Sequence, residues 1–383
     1  MRLPRRALLA APFAAFGQPA RQKIVSVRAA AVALLPTSRF GKKEFASDFD
    51  PARRRWFGPF SQLAGSVMVE IRTDQGLTGY GLGGGGTAAV HVIENHLRDL
   101  LIGANALNVE LLWDQMFAST SFYGRRGLPV MAMSGIDLAL WDILGKHAGL
   151  PVWRLLGGAA RERVPAYYTG SGVDRALTLG FRAFKLGLTD DMPREKLIAT
   201  LKDMRAKAGP DSHLMIDCLC RWTVEETLEF ARRVEDLRLD FIEEPLYPDD
   251  VAGYQRLVRE VRGTKIASGE HEFTHHGFAE LIRNRLSHIL QPDLTWTGGL
   301  TAGRRIAALA AANGLTLMPH RGGSLCAIHL AIAHPEIPFA ESFGTGEPGN
   351  ELMAALTPPF ENGYYLAPEK PGLGIDVPRG AFR

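Results

Sequence analysis

Three carboxylates, Asp217, Glu243 and Glu270, stand at matching places in the chain, each about one strand-and-helix repeat after the last. Short apolar runs lead into them: Leu214-Met215-Ile216 before Asp217, Phe241-Ile242 before Glu243, and Ile266-Ala267-Ser268 shortly before Glu270. Carboxylates gathered in one place repel unless a cation neutralises them. Hard oxygen ligands suit Mg²⁺, which keeps coordination positions for water or substrate. Asp217, Glu243 and Glu270 are therefore candidate Mg²⁺ ligands. Three unrelated surface acids are the alternative, and recurrence at successive strand ends weighs against it. The next two repeats end in Gln291-Pro292-Asp293 and Met318-Pro319-His320. Asp293 set against His320 would orient the imidazole and raise its proton affinity, a device for moving protons beside a metal. Taken singly, His320 reads equally well as a core histidine; its place after the metal-type strands favours catalysis. Glu341 ends the last repeat. It either supports charge developing on a bound oxyanion, as a protonated or hydrogen-bonding carboxyl group, or closes the structure with a buried hydrogen bond.

Such residues converge only if the strands that carry them are parallel neighbours. From about Arg163, apolar strands alternate with helical patterns: Val164–Tyr168, Ala183–Leu186, His213–Asp217, Asp240–Glu243, Lys265–Ser268, His288–Gln291, Leu315–Pro319 and Pro338–Glu341. Between them, stretches such as Val224–Val234 and Ala302–Ala312 carry helical periodicity. Eight βα repeats predict an α/β fold with a closed, TIM-like (β/α) barrel, whose active site gathers at the C-terminal strand ends. An open doubly wound sheet is the alternative, but no glycine-rich phosphate turn follows the first strand.

Residues 23–150 read differently. Strand-like Ile24–Val27 and Ser66–Ile71 flank a long polar and aromatic connection, and Asp74-Gln75-Gly76 predicts a tight turn into Leu77–Gly81. Val90, Ile93, Leu97, Leu100 and Leu101 fall on one helical face, as do Leu107, Leu111 and Leu112. A strong helix is expected over Met133–Leu144, stopped at Gly149, with a shorter one opened by Pro151. The expected organisation is an N-terminal α+β domain over 23–150, a barrel over 151–345, and a C-terminal segment over 346–383.

The chain has 383 residues, 46% hydrophobic and 22% charged, with a net charge of +3. Its only dense basic run is Arg53-Arg54-Arg55, too narrow for a nucleic-acid stripe. Three cysteines, Cys218, Cys220 and Cys326, form neither a disulfide framework nor a paired zinc motif. Residues 1–22 combine Arg5-Arg6, a short apolar run and a small-residue end. That pattern predicts an export signal of the twin-arginine type and a periplasmic protein; the alternative is a cytoplasmic protein with a frayed extension. No other stretch reads as membrane-spanning. No nucleic-acid or membrane partner is expected.

Several motifs in combination resemble the mandelate racemase and muconate lactonizing enzyme branch of the enolase superfamily. They are Ile136-Asp137-Leu138-Ala139-Leu140-Trp141-Asp142 with Gly145-Lys146, Leu155-Leu156-Gly157-Gly158, Ile242-Glu243-Glu244-Pro245 and Pro371-Gly372-Leu373-Gly374. The resemblance covers almost the whole chain after residue 23, and it implies that 23–150 is a capping domain over the barrel, completed by the returning segment 346–383. Within the branch, Asp217-Cys218, Ser268-Gly269-Glu270-His271, Gln291-Pro292-Asp293 with Trp296, Pro319-His320 and Glu341 are most similar to the L-rhamnonate dehydratases. That resemblance implies Mg²⁺ on Asp217, Glu243 and Glu270, with Glu244 outside the ligand set. It further implies proton transfer by His320 paired with Asp293, and substrate contacts from His271 and Glu341. The implied partner is a small acid sugar, met by a homo-oligomeric protein, and the implied reaction removes the proton α to its carboxylate and eliminates the 3-hydroxyl, giving a 2-keto-3-deoxy acid. Many relatives carry a Lys-x-Lys pair where this chain reads Lys185-Leu186-Gly187. One lysine remains, so Lys185 is a candidate substrate contact and the only candidate base opposite His320 for a racemase or epimerase. A non-catalytic acid-sugar-binding protein is the other alternative. In the loops expected over the substrate, Arg54 resembles a family arginine. Arg39 lies in a loop, Thr37–Glu44, without the histidine that L-rhamnonate dehydratases carry there.

Overall fold

The computed structural model describes residues 21–32, 34, 65–188, 192–344 and 351–377. The expected export signal, apart from its last two residues, lies outside the described residues, as do Arg39 and Arg54. Three strands, β1 (Ile24–Val32), β2 (Ser66–Thr73) and β3 (Thr78–Gly83), form an antiparallel sheet in chain order. β3 alternates glycine on one face, and that face receives the long helix Leu128–Ala148. A Cβ at Gly79, Gly81 or Gly83 would collide with the carbonyl oxygens of Ala139, Gly135 or Met131 respectively. The strand therefore touches helix backbone directly, which only glycine permits. The helix is long and apolar enough to cross a membrane by composition, yet most of it is buried inside the protein.

Two expectations about helical faces need correction. Leu100 and Leu111 are 39% and 53% exposed, although the periodicity placed them on buried faces. Residues Ile93–Leu97 form a π-helical turn, which widens the helix, and the buried stripe becomes Ile93, Leu97 and Leu101. The next helix starts only at Val109, so its buried face is Val109, Leu112, Trp113 and Met116.

Eight parallel strands follow: β4 (Arg163–Thr169), β5 (Ala183–Gly187), β6 (His213–Asp217), β7 (Phe241–Glu243), β8 (Lys265–Ser268), β9 (Ile289–Leu290), β10 (Thr316–Leu317) and β11 (Ala340–Ser342). They pair in sequence from β4 to β10, and β11 returns to pair with β4. Among the described residues β10 and β11 share no ladder; the Leu317 amide donates instead to the Glu336 carbonyl at 3.2 Å. β9 and β10 are shorter than expected, and both stop before a proline, Pro292 or Pro319, which has no N–H to donate. One residue from each strand position enters a separate inner cluster: Tyr167, Ala183, Met215, Phe241, Ala267, Ile289 and Met318, with Phe339 packed on them. A hairpin, β12 (Phe360–Glu361) and β13 (Tyr364–Leu366), adds to β4 in antiparallel fashion, making the sheet mixed.

Two buried carboxylates on the long helix join these parts. Asp137 accepts from the Thr301 amide at 3.0 Å and the Thr301 hydroxyl at 2.6 Å, while the Trp141 indole donates to the same hydroxyl. Asp142 accepts from the amides of Tyr80 and Leu373 and from the Lys146 ammonium, at 2.7–2.9 Å. It thus ties β3 and the C-terminal segment to one helix. That segment also lays Leu352, Leu356 and Val377 against Met68, Leu82 and Tyr80 of the three-stranded sheet.

Candidate active site

Side chains alternate along a strand, so the residue two places after each inner-cluster member points to the same interior, one layer nearer the C-terminal ends. That next layer reads Thr169, Lys185, Asp217, Glu243, Gly269, Gln291, His320 and Glu341. It is polar at every strand except β8, where Gly269 takes φ +128 and Glu270 follows it into the site. Hydrophobic support below and polar groups above are thus consequences of strand period alone.

Asp217 and Glu243 are direct register partners on β6 and β7, and one ligand atom each from Asp217, Glu243 and Glu270 lies within 4.8 Å of the others. Burial pushes the Asp217 carboxyl up to about 7 and the Glu243 carboxyl up to about 8, with Lys185 opposing and mutual repulsion adding. Burial also raises Glu270. Glu243 Oε1 is buried without a hydrogen-bond partner among the described residues. Three desolvated carboxylates with an unsatisfied oxygen form a donor set that fits a small divalent cation, which would repay their desolvation.

Lys185 lies beneath this group. Its ammonium, 1% exposed, meets Glu243 Oε2 at 2.6 Å and Glu341 Oε1 at 2.7 Å. Burial opposes its charge, but the two carboxylates outweigh burial and raise its pKa well above the ordinary value. In the metal-free protein a lysine so held stays protonated, which weighs against a role as the second base of a racemase. Glu341 also accepts from the Thr169 hydroxyl at 2.7 Å and the Arg321 amide at 2.8 Å. Burial would raise its pKa, yet Lys185 and His320 hold it down to about 2, so its charged form is the stable one.

His320 Nδ1 lies 2.9 Å from Asp293 Oδ2, and Asp293 Oδ1 accepts from the amide and hydroxyl of Thr295. The aspartate is thereby fixed, and the ring presents Nε2 to the site, 3.6 Å from Glu270 Oε1 and 4.0 Å from Glu341 Oε2. Burial favours neutral His320, but Glu270, Asp293 and Glu341 raise it to about 9.

A second imidazole–carboxylate pair faces the first. His271 Nδ1 meets Glu244 Oε2 at 2.6 Å, leaving Nε2 4.0 Å from Glu270 Oε1. Trp296 stands between the two histidine rings, 5.9 Å from His271 and 5.5 Å from His320, with the Arg321 guanidinium over its face. Glu244 and Arg321 escaped the sequence reading of the site. Strand alternation sends Glu244 away from the interior, but its backbone takes φ +34 at the strand end and its carboxylate reaches His271, Cys220 and the Gly269 amide. The only hint was its place beside Glu243. At the opposite end of the strands, a cavity of about 550 Å³ lined by Met215, Phe241 and Phe339 has no share in this constellation.

Comparison with known proteins agrees across both parts of the chain. The family described as enolase C-terminal domain-like matches residues 171–381, and the mandelate racemase/muconate lactonizing enzyme N-terminal domain matches residues 60–157. A Caldivirga maquilingensis protein, provisionally named L-rhamnonate dehydratase, is 38% identical over 329 residues, 83% of this chain and 82% of its own length. The crystal structure of rhamnonate dehydratase from Gibberella zeae complexed with Mg superposes with a TM-score of 0.81 at 31% identity, covering 94% of this chain and 95% of that one. L-talarate dehydratase from Polaromonas sp. JS666, complexed with Mg and L-glucarate, gives 0.73 at 30% identity over 83% and 91%. The chain belongs to the mandelate racemase/muconate lactonizing enzyme branch of the enolase superfamily, a superfamily of enzymes.

Proposed function

We propose that the protein is a Mg²⁺-dependent acid-sugar dehydratase resembling the L-rhamnonate dehydratases, with the eight parallel strands closed as a (β/α) barrel under the N-terminal cap. The inner cluster drawn from all eight strand positions supports the closure. The observation that carries the function is the His320–Asp293 pair beside three clustered carboxylates, with the only interior lysine of that layer already paired. Asp217, Glu243 and Glu270 hold Mg²⁺, which when bound stabilises the negative charge that builds on the substrate carboxylate. Glu270, one of these ligands, is also one of the carboxylates that raise the His320 pKa, so engaging it would shift the imidazole toward its neutral, basic form. His320 Nε2 takes the C2 proton, and Asp293 stabilises the resulting imidazolium. The C2 electron pair expels the 3-hydroxyl, His320 returns its proton to that oxygen, and water leaves. The enol then tautomerises to a 2-keto-3-deoxy acid. Glu341, charged and anchored by Lys185, Thr169 and the Arg321 amide, holds the floor beside His320 and orients substrate hydroxyls. His271, backed by Glu244, binds the substrate from the other side of Trp296. Arg39 and Arg54 contact its far end in the same reading. Residues 1–22 direct export to the periplasm, and the protein assembles as a homo-oligomer.

The names of the relatives put L-rhamnonate first among candidate substrates, with L-talarate and L-glucarate next. Incubating the purified protein with a panel of mono- and diacid sugars tests the proposal. Formation of 2-keto acid from at least one member, abolished by EDTA and restored by Mg²⁺, is expected. Tight binding of acid sugars with no turnover in Mg²⁺ would make it a binding protein instead.

A further inference from the structure

The catalytic layer contains one polar side chain whose partners the reaction has not used. Gln291 follows β9 and is fully buried, yet neither Oε1 nor Nε2 has a hydrogen-bond partner among the described residues. Its backbone is fixed: the Gln291 amide donates to the Ser268 carbonyl at 3.0 Å, and the Met318 amide donates to the Leu290 carbonyl at 2.8 Å. Ile289, two residues earlier, belongs to the inner cluster, whereas Leu290 belongs to the outer core. Alternation therefore sends the Gln291 side chain inward. On its two sides stand β8, which leads into Glu270, and β10, which leads into His320.

Its polar neighbours in the layer each meet a partner within the protein. Thr169 donates to Glu341, Lys185 bridges Glu243 and Glu341, and His320 is held by Asp293. Each has at least one partner, whereas both polar atoms of the Gln291 side chain have none among the described residues. A primary amide can make up to four hydrogen bonds, and burying one unpaired is costly unless a ligand repays it. A methionine would fill the same volume without that cost. Retaining an amide between the metal-type carboxylate and the base is therefore a feature of binding rather than packing.

We propose that Gln291 is a further ligand-binding residue of the site, its amide receiving the α-hydroxy-carboxylate end of the substrate. Nε2 donates to a carboxylate oxygen while Oε1 accepts from the 2-hydroxyl, which fixes C2 against His320 Nε2. This assignment rests on the acid-substrate reading of the site. It does not depend on which acid sugar is used.

The test uses tartronate, a small α-hydroxy diacid, with the full-length protein saturated in Mg²⁺. Binding is measured by calorimetry for wild type, Gln291→Met and Gln291→Asn, alongside the thermal midpoint of each protein without metal. Gln291→Met is expected to weaken tartronate binding by about 10–100-fold, with Mg²⁺ affinity unchanged and a midpoint equal to or above wild type. Gln291→Asn, which keeps the amide on a shorter arm, should fall between the two. Equal tartronate affinity in wild type and Gln291→Met would overturn the assignment. So would a lower metal-free midpoint in Gln291→Met, because the amide would then serve the fold. Failure of wild type itself to bind tartronate in Mg²⁺ would remove the functional reading, and the role of Gln291 with it.

Discussion

Lys185 joins two carboxylates of the site through its ammonium. It is an ionic strut between Glu243 and Glu341, with its ammonium withdrawn from solvent. Removing one partner of a buried ion pair leaves the other charge unpaired, which costs about 3–5 kcal/mol. Lys185→Met is therefore expected to lower unfolding free energy by roughly that amount in denaturant titrations and to reduce turnover together with Mg²⁺ affinity. A variant that lost turnover alone would point to a direct role in proton transfer. The two candidate roles of Lys185 were not separable in the sequence, because the pairing depends on residues far away in the chain. The carboxylates and the His320–Asp293 pair were legible, since strand-end position is a local property. The Glu244–His271 pair was not, because a positive φ at a strand end reverses the alternation on which the reading relied.

Elements, rather than residues, decide how the three-stranded sheet meets the rest of the protein. Gly79, Gly81 and Gly83 present a bare strip of β3 to the helix Leu128–Ala148, and Asp137 and Asp142 on that helix catch backbone amides from two other segments. Gly81→Ala forces a methyl group onto the Gly135 carbonyl. Overpacking of this kind costs about 1–3 kcal/mol or more. The thermal midpoint should fall by several degrees while Mg²⁺ affinity holds, because none of the candidate ligands lies on the strand or the helix; an unchanged midpoint would show that helix and strand can separate freely. The helix and its stop at Gly149 were legible from apolar content and capping. The glycine strip was written in the sequence too, but its meaning depends on a helix half a hundred residues away. The π-helical turn at Ile93–Leu97 left no comparable signature, and it moved Leu100 off the buried face.

At the scale of the whole molecule, the site is a cluster of buried like charges whose energy depends on what binds there. Burial raises all three candidate ligands, so the metal-free protein carries an electrostatic cost that a divalent cation relieves. A ligand that binds only the folded state adds stability by mass action, about 2.7 kcal/mol at a hundredfold excess over Kd. The thermal midpoint should therefore rise on titration with Mg²⁺ and fall back with EDTA, and Asp217→Asn should abolish the rise. A midpoint insensitive to Mg²⁺ would remove the metal from the account.

The most direct test concerns His320. On whichever acid sugar the wild-type protein dehydrates best, His320→Asn should lower the rate of 2-keto acid formation by about 10²–10⁴-fold. Mg²⁺ affinity and thermal midpoint should stay close to wild type. Full dehydratase activity in that variant would contradict the account, because the proton would then leave C2 by another route.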